Sequence, residues 1–165
     1  MKQVYKVNDI NLSTIFCTLL KQLRWLIVIV LVECVILACV GAFCESVSFL
    51  AILFAGLLGS YSIHEYVHIL LLRRSGVSDV EIGSTFLKFS IIPNEQLRGK
   101  KLIIVAVSGP LVCGLIGGIS AIIALRSGSL FFKVIAMIYS FHLINLVPIF
   151  GDGKMFIKGL FTYIL

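Results

Sequence analysis

His64-Glu65-Tyr66-Val67-His68 lies near the end of an apolar run from Val47 to Leu72, in which little else is polar besides Ser60, Tyr61 and Ser62. Histidines at i and i+4 share one face of a helix, so both imidazoles can reach one metal ion. Glu65 stands beside the first of them, where its carboxylate can act on a water as general base. Soluble metalloproteases carry this pattern in a water-lined cleft. Its setting here reads as a membrane span, where ionisable groups are costly and mark function.

The 165 residues are 59% hydrophobic and 13% charged, with a mean hydropathy of +1.09, which predicts an all-α polytopic membrane protein rather than a soluble domain. The formal charge of +6 then reports topology. No basic cluster interleaved with exposed aromatics points to nucleic acid. Cys17, Cys34, Cys39, Cys44 and Cys113 follow no metal or disulfide spacing and read as small apolar filler. Ile36-Leu37-Ala38-Cys39 loosely resembles a lipoprotein cleavage box, but Glu33 interrupts the apolar stretch and the polar leader before it is long, so a retained first helix is expected.

Four spans are predicted, at 25–43, 47–72, 102–125 and 130–150, with a polar segment at 1–24, a basic loop at 73–101 and a turn and tail at 151–165. Lys2, Lys6, Lys21 and Arg24 precede the first span; Arg73, Arg74, Lys88, Arg98, Lys100 and Lys101 lie between the second and third. The opposite loops hold Glu45 and Arg126. The positive-inside rule therefore puts both termini in the cytoplasm, of the cell membrane in the simplest case. The second span then runs inward. His68 falls five residues before Arg73, about 7.5 Å along a helix, so the histidine pair is expected inside the membrane near its cytoplasmic face.

A third ligand must come from the same depth. The fourth span also runs inward and ends Asn145-Leu146-Val147-Pro148-Ile149-Phe150-Gly151-Asp152-Gly153. Pro148, Gly151 and Gly153 break the helix around Asp152, and broken backbone at membrane depth is tolerated where it lines a cavity. Two histidines and one carboxylate, with one position left for water, form a known catalytic zinc set. The bland alternative for Asp152 is a solvated helix-end carboxylate beside Lys154.

Taken together, these segments resemble the site-2 protease family of intramembrane zinc metalloproteases. That family pairs HExxH in one core helix with Asn-x-x-Pro…Asp-Gly in a later one, and commonly has a Gly-Pro segment between them. Ser108-Gly109-Pro110-Leu111 supplies the last in the right order, and the resemblance covers roughly 47–158. It implies His64, His68 and Asp152 as Zn2+ ligands, Glu65 as general base, and Asn145 as a candidate for binding substrate or stabilising the oxyanion. Asn145 has the alternative of capping backbone groups freed near Pro148. The pattern departs from the family in two places. Three residues, rather than the usual four, separate Pro148 from Asp152, and Cys113 stands where an Asn often follows Gly-Pro.

His142, a helical turn before Asn145, reads as a structural partner because the metal set is complete without it. Glu33 in the first span has no partner visible in the sequence. Gly109, Gly114, Gly117 and Gly118 are expected to permit close helix packing, Gly114 and Gly118 as a GxxxG, and close approach of the third span to the second would help enclose the metal. Val80–Ile92 (VEIGSTFLKFSII) is rich in β-formers and bounded by Gly76 and Pro93, so a small β element is expected between helices 2 and 3, with an ordinary interfacial loop as alternative. Its free edge would hold a peptide substrate extended. The expected function is hydrolysis of a membrane-embedded or membrane-associated peptide in the lipid bilayer. A protease-like membrane protein without catalysis, acting as an immunity or regulatory binder, is the alternative.

Overall fold

The computed structural model describes residues 2–85 and 88–164. It opens with a strand, β1 (Lys2–Lys6), a short 3-10 turn (Val7–Asp9) and helix α1 (Leu12–Gln22). The helices α2 (Arg24–Cys39) and α3 (Phe43–Ala51) follow, and α3 continues through wider π-type turns at Ile52–Leu58 into α4 (Gly59–Arg74). A hairpin of β2 (Asp79–Thr85) and β3 (Lys88–Pro93) leads to α5 (Gly99–Ser127) and α6 (Leu130–Phe141). A second 3-10 segment (His142–Leu146) then precedes α7 (Gly151–Ile164).

The fold is mostly helical, as expected. Phe43–Arg74, Gly99–Ser127 and Leu130–Ile164 are long and apolar enough to cross a membrane. The predicted span at 25–43 is less simple. α2 has 16 residues, and it meets the length test for a span only together with α1, to which it is bent by 76°. The bend suits an amphipathic α1, whose buried Ile15 and Leu19 face the core while its other side is exposed. Its cap is local: the Asn11 side chain accepts from the Thr14 N–H. Helix 43–74 starts four residues before the expected boundary and takes in Glu45, placed favourably in a first turn.

The π-type turns in the middle of that helix have a visible use. Widened turns loosen the carbonyl ladder, and the Tyr139 hydroxyl donates to the Ala55 carbonyl at 3.1 Å. This ties α6 to the helix that carries the histidines.

The β element is larger than expected. β2 pairs antiparallel with β3 (Val80 opposite Pro93, Gly83 opposite Ser90), but it also pairs antiparallel with β1 (Lys2 opposite Gly83, Lys6 opposite Asp79). The sheet order is β1-β2-β3, so the N-terminal segment and the 79–93 hairpin lie on one side of the molecule. The hairpin tip, 86 and 87, falls outside the described residues, as do Met1 and Leu165. The segment predicted as merely polar at 1–24 thus contributes a strand and a packed helix. Val7, Ile10, Ile15, Leu58, Ile69 and Val80 are fully buried together at this junction.

Two further expectations need correction. The fourth span does not run unbroken through 130–150, and 151–165 is not a tail. α6 stops at Phe141, and tight turns follow, with Val147 N–H donating to Ile144 and Phe150 N–H donating to Val147. Pro148 has no N–H for an α-helical bond, which explains the break. α7 then restarts the helix at Gly151 and packs on the beginning of α5, where the Gly99 N–H donates to Thr162 Oγ1 at 2.8 Å.

Arg73 closes the N-terminal hook onto α4. One guanidinium nitrogen donates to the carbonyls of Val7 (3.0 Å), Ile10 (3.0 Å) and Asn8 (3.4 Å). Charge-assisted hydrogen bonds of this kind are worth about 1.5–3 kcal/mol each and are not additive. Arg73→Ala should therefore speed amide hydrogen exchange in residues 2–10 by at least about tenfold while leaving α5 and α7 protected. Unchanged exchange in that segment would show the hook is held by apolar burial alone.

Candidate metal centre

The helix 59–74 places His64 and His68 on one face, as the i, i+4 spacing requires, and both are buried. Their Nε2 atoms are 3.2 Å apart. Asp152, in the first turn of α7, meets both: Oδ2 lies 3.0 Å from His64 Nε2 and Oδ1 lies 3.5 Å from His68 Nε2. Donors bound tetrahedrally to zinc at 2.0–2.1 Å are about 3.3 Å apart. The three edges bracket that value, and the imidazole planes meet at 80°. Among the described residues His64, His68 and Asp152 thus form a group that could hold a metal ion, with spacings compatible with zinc.

The orientation of His68 has a specific cause. Its Nδ1–H donates to the Val105 carbonyl on α5 at 2.8 Å, which leaves the Nε2 lone pair free for a metal. Ser108 Oγ donates to the same carbonyl at 2.8 Å. α5 comes this close because residue 109 has no side chain. A Cβ there would lie 2.7 Å from His68 Nε2 and 3.0 Å from the His64 carbonyl oxygen. Gly109 therefore makes the α4–α5 approach, not the GxxxG glycines. Gly114 packs against Leu143 next to α6, and Gly118 has nothing within 4 Å. Of the four glycines expected to permit close packing, Gly109 thus brings the third span to the second, and Gly117 brings it to α6, where a Cβ would lie 2.5 Å from Ser140 Oγ.

Asp152 arrives through a compact turn. The short spacing from Pro148 is absorbed by the turn closing at Phe150 and by Gly153, whose Cβ would collide with the Val147 carbonyl. Glycine at 153 lets the start of α7 fold back on the chain before it. The Asp152 carboxylate also sits at a helix N-terminus, a favourable place for negative charge.

His142 is closer to the centre than its sequence position indicated. Its ring stacks on His64 with centroids 4.7 Å apart and planes at 28°, and Tyr61 meets its other neighbourhood edge-on at 5.0 Å. His64 Nδ1 is buried with no hydrogen-bond partner among the described residues, so packing against His142 takes over the orienting role that a hydrogen bond plays for His68. The i−3 spacing to Asn145 was the available signal. His64, Cys113 and His142 also converge as a second group of potential ligands. A metal lies in the plane of each imidazole that binds it. The His64 and His142 rings are stacked with planes at 28°, a poor arrangement for sharing one ion, whereas the His64 and His68 planes cross at 80° with their Nε2 atoms 3.2 Å apart. The thiol of Cys113 instead donates to the Ser60 carbonyl at 3.5 Å.

A cavity of about 260 Å³ opens at the metal set. Glu65, His68 and Asp152 line one side, and β3 residues from Phe89 to Pro93 line another, with Leu97 and Met155 nearby. Asp152 is 14% exposed against 3% for His64, so access is from the carboxylate side. Asn145 is half-buried on the 3-10 segment and does not line this cavity. Glu33 is exposed on α2, away from the cavity lining.

Compared with family models, curated proteins and solved structures, the chain matches none of them.

Gly109→Ala should push against His68 and weaken zinc binding at least about tenfold, as perturbed ligand support does elsewhere. Gly118→Ala, on an open helix surface, should leave it unchanged. Chelator competition on the two purified variants measures this, and equal zinc affinity would remove Gly109 from the construction of the site.

Proposed function

We propose that this chain is an intramembrane zinc endopeptidase of the site-2 protease type. It would hydrolyse a peptide bond of a membrane-embedded or membrane-associated peptide near the cytoplasmic face. One observation carries the reading: a zinc-sized triangle of His64, His68 and Asp152 opens into a cavity that Glu65 and the β3 strand also line. The HExxH, Asn-x-x-Pro and Asp-Gly segments that resemble the family supply the residues on this triangle and its approach.

When bound, zinc supplies Lewis-acid polarisation of the scissile carbonyl and of the attacking water. Glu65 removes a proton from that water and delivers it to the leaving amine. His68 is held in its metal-binding tautomer by Val105, and the His64 ring is held in position by stacking on His142. Among the described residues β3 has one edge against β2 and the other unpaired in the sheet, and Phe89 to Pro93 of this strand line the cavity. A peptide added along that edge is held extended, which exposes the bond that a helix would shield. Phe89 and Ile91 make the wall apolar, suiting aliphatic side chains next to the cleaved bond.

Charge asymmetry supports the membrane placement, with termini on the cytoplasmic side. The pairing of β1 with β2 agrees, because it holds the N-terminal segment and the basic loop on one side.

Glu65→Gln is the decisive variant. It should retain one zinc per chain, lose between about a hundredfold and ten-thousandfold of activity, and accumulate an uncleaved membrane peptide in expressing cells. His68→Ala and Asp152→Asn should lose the zinc itself. Folded wild-type protein without zinc, or unchanged peptide processing in Glu65→Gln, would sink the proposal; zinc without processing in the wild type would favour the binder.

Strand addition makes a separate demand on the substrate. Proline at either of two successive residues beside the cleaved bond should abolish cleavage at one position and spare it at the other, because only alternate N–H groups face β3. Equal cleavage of both proline peptides would exclude docking along the β3 edge.

A further inference from the structure

Helix α2 is attached to the molecule along a narrow strip. Cys34 is its buried residue, and there the Ser46 hydroxyl donates to the Cys34 carbonyl at 2.9 Å while the Cys34 thiol donates to the Ser46 carbonyl at 3.5 Å. Beside this strip runs a second one, Leu26, Ile29, Glu33, Ile36 and Val40, with spacings of three and four residues that keep it on one helix face. Its apolar members are 38%, 63%, 58% and 74% exposed in chain order, and Glu33 at the centre is exposed too.

Lipid would cover the apolar members without any partner. Glu33 is different. Among the described residues it has no hydrogen bond or ion pair. It lies nine residues beyond Arg24, about 13.5 Å along the helix, which is close to the middle of a hydrocarbon core about 30 Å thick. A carboxylate there is expensive in lipid and is stabilised by a cation from a neighbouring helix. A second copy of this chain does not supply one at that depth. Arg126 and Lys133 lie at the end of α5 and within the first turn of α6, and the exposed Lys154 and Lys158 lie on α7, which runs from the metal set back to the start of α5 at Gly99, on the side of the basic loop.

We infer that the Leu26–Ile29–Glu33–Ile36–Val40 face of α2 docks the transmembrane helix of a separate membrane protein carrying one lysine or arginine at mid-depth. The inference rests on the membrane placement of α2 and not on the hydrolytic activity. The apolar residues on either side of Glu33 set the packing register, and the ion pair sets partner choice. α2 is suited to this because it carries none of the metal ligands and can be gripped without disturbing them.

The test uses the full-length chain, donor-labelled, in phosphatidylcholine vesicles, with an acceptor-labelled synthetic Leu/Ala span bearing a single central Lys. The Lys span should associate about tenfold more tightly than the same span with a central Leu. Glu33→Gln should remove that preference, and Glu33→Lys should transfer it to a span with a central Glu, which also shows that the variant is folded and inserted. Equal association of Lys and Leu spans, a preference that survives Glu33→Gln, or failure of the charge-swapped pair would each overturn the inference. So would Glu33-dependent energy transfer between copies of the chain itself.

Discussion

The contact between α4 and α5 at Gly109 is the constraint on which the metal centre depends. A missing side chain lets the α5 backbone lie against His64 and His68, and the Val105 carbonyl then fixes one imidazole. Any larger residue at 109 separates the helices or turns His68 away. The polar groups involved are buried, so each must find its partner inside the protein. Close packing and hydrogen-bond satisfaction are here one requirement.

The two histidines are held by different physics. His68 is oriented by a hydrogen bond to backbone that its own helix packing brings near. His64 has a buried Nδ1 without such a bond and is sandwiched instead against His142, itself met by Tyr61. Hydrogen bonding gives direction and tautomer, while stacking gives position. Asp152 needs neither, because the start of α7 and the turn behind Gly153 carry it to the two imidazoles as part of the backbone path.

The same arrangement brings the edge strand β3 beside the His64–His68–Asp152 group. β3 borders the cavity on the side where Asp152 is partly exposed, and β1 fastens the other flank of the hairpin through β2. Arg73 in turn fastens β1 and its following turn to the end of the histidine helix. The edge strand β3 is thus linked to the His64–His68–Asp152 group through short connections.

HExxH, the apolar runs and the basic loops determined by themselves that His64 and His68 share a helix face within an apolar segment, because helix periodicity and hydropathy are local properties. Asp152 was legible for a related reason: breakers around a lone carboxylate stand out in an apolar span. Only the tertiary structure decided the rest. β1 was hidden because a five-residue strand has meaning only when β2 lies beside it. α7 was hidden because Gly151 and Gly153 read as breakers, while packing on α5 makes them a helix start. The places of Gly109 and His142 depend on which helices approach within touching distance, and no periodicity along one chain records the distance between two.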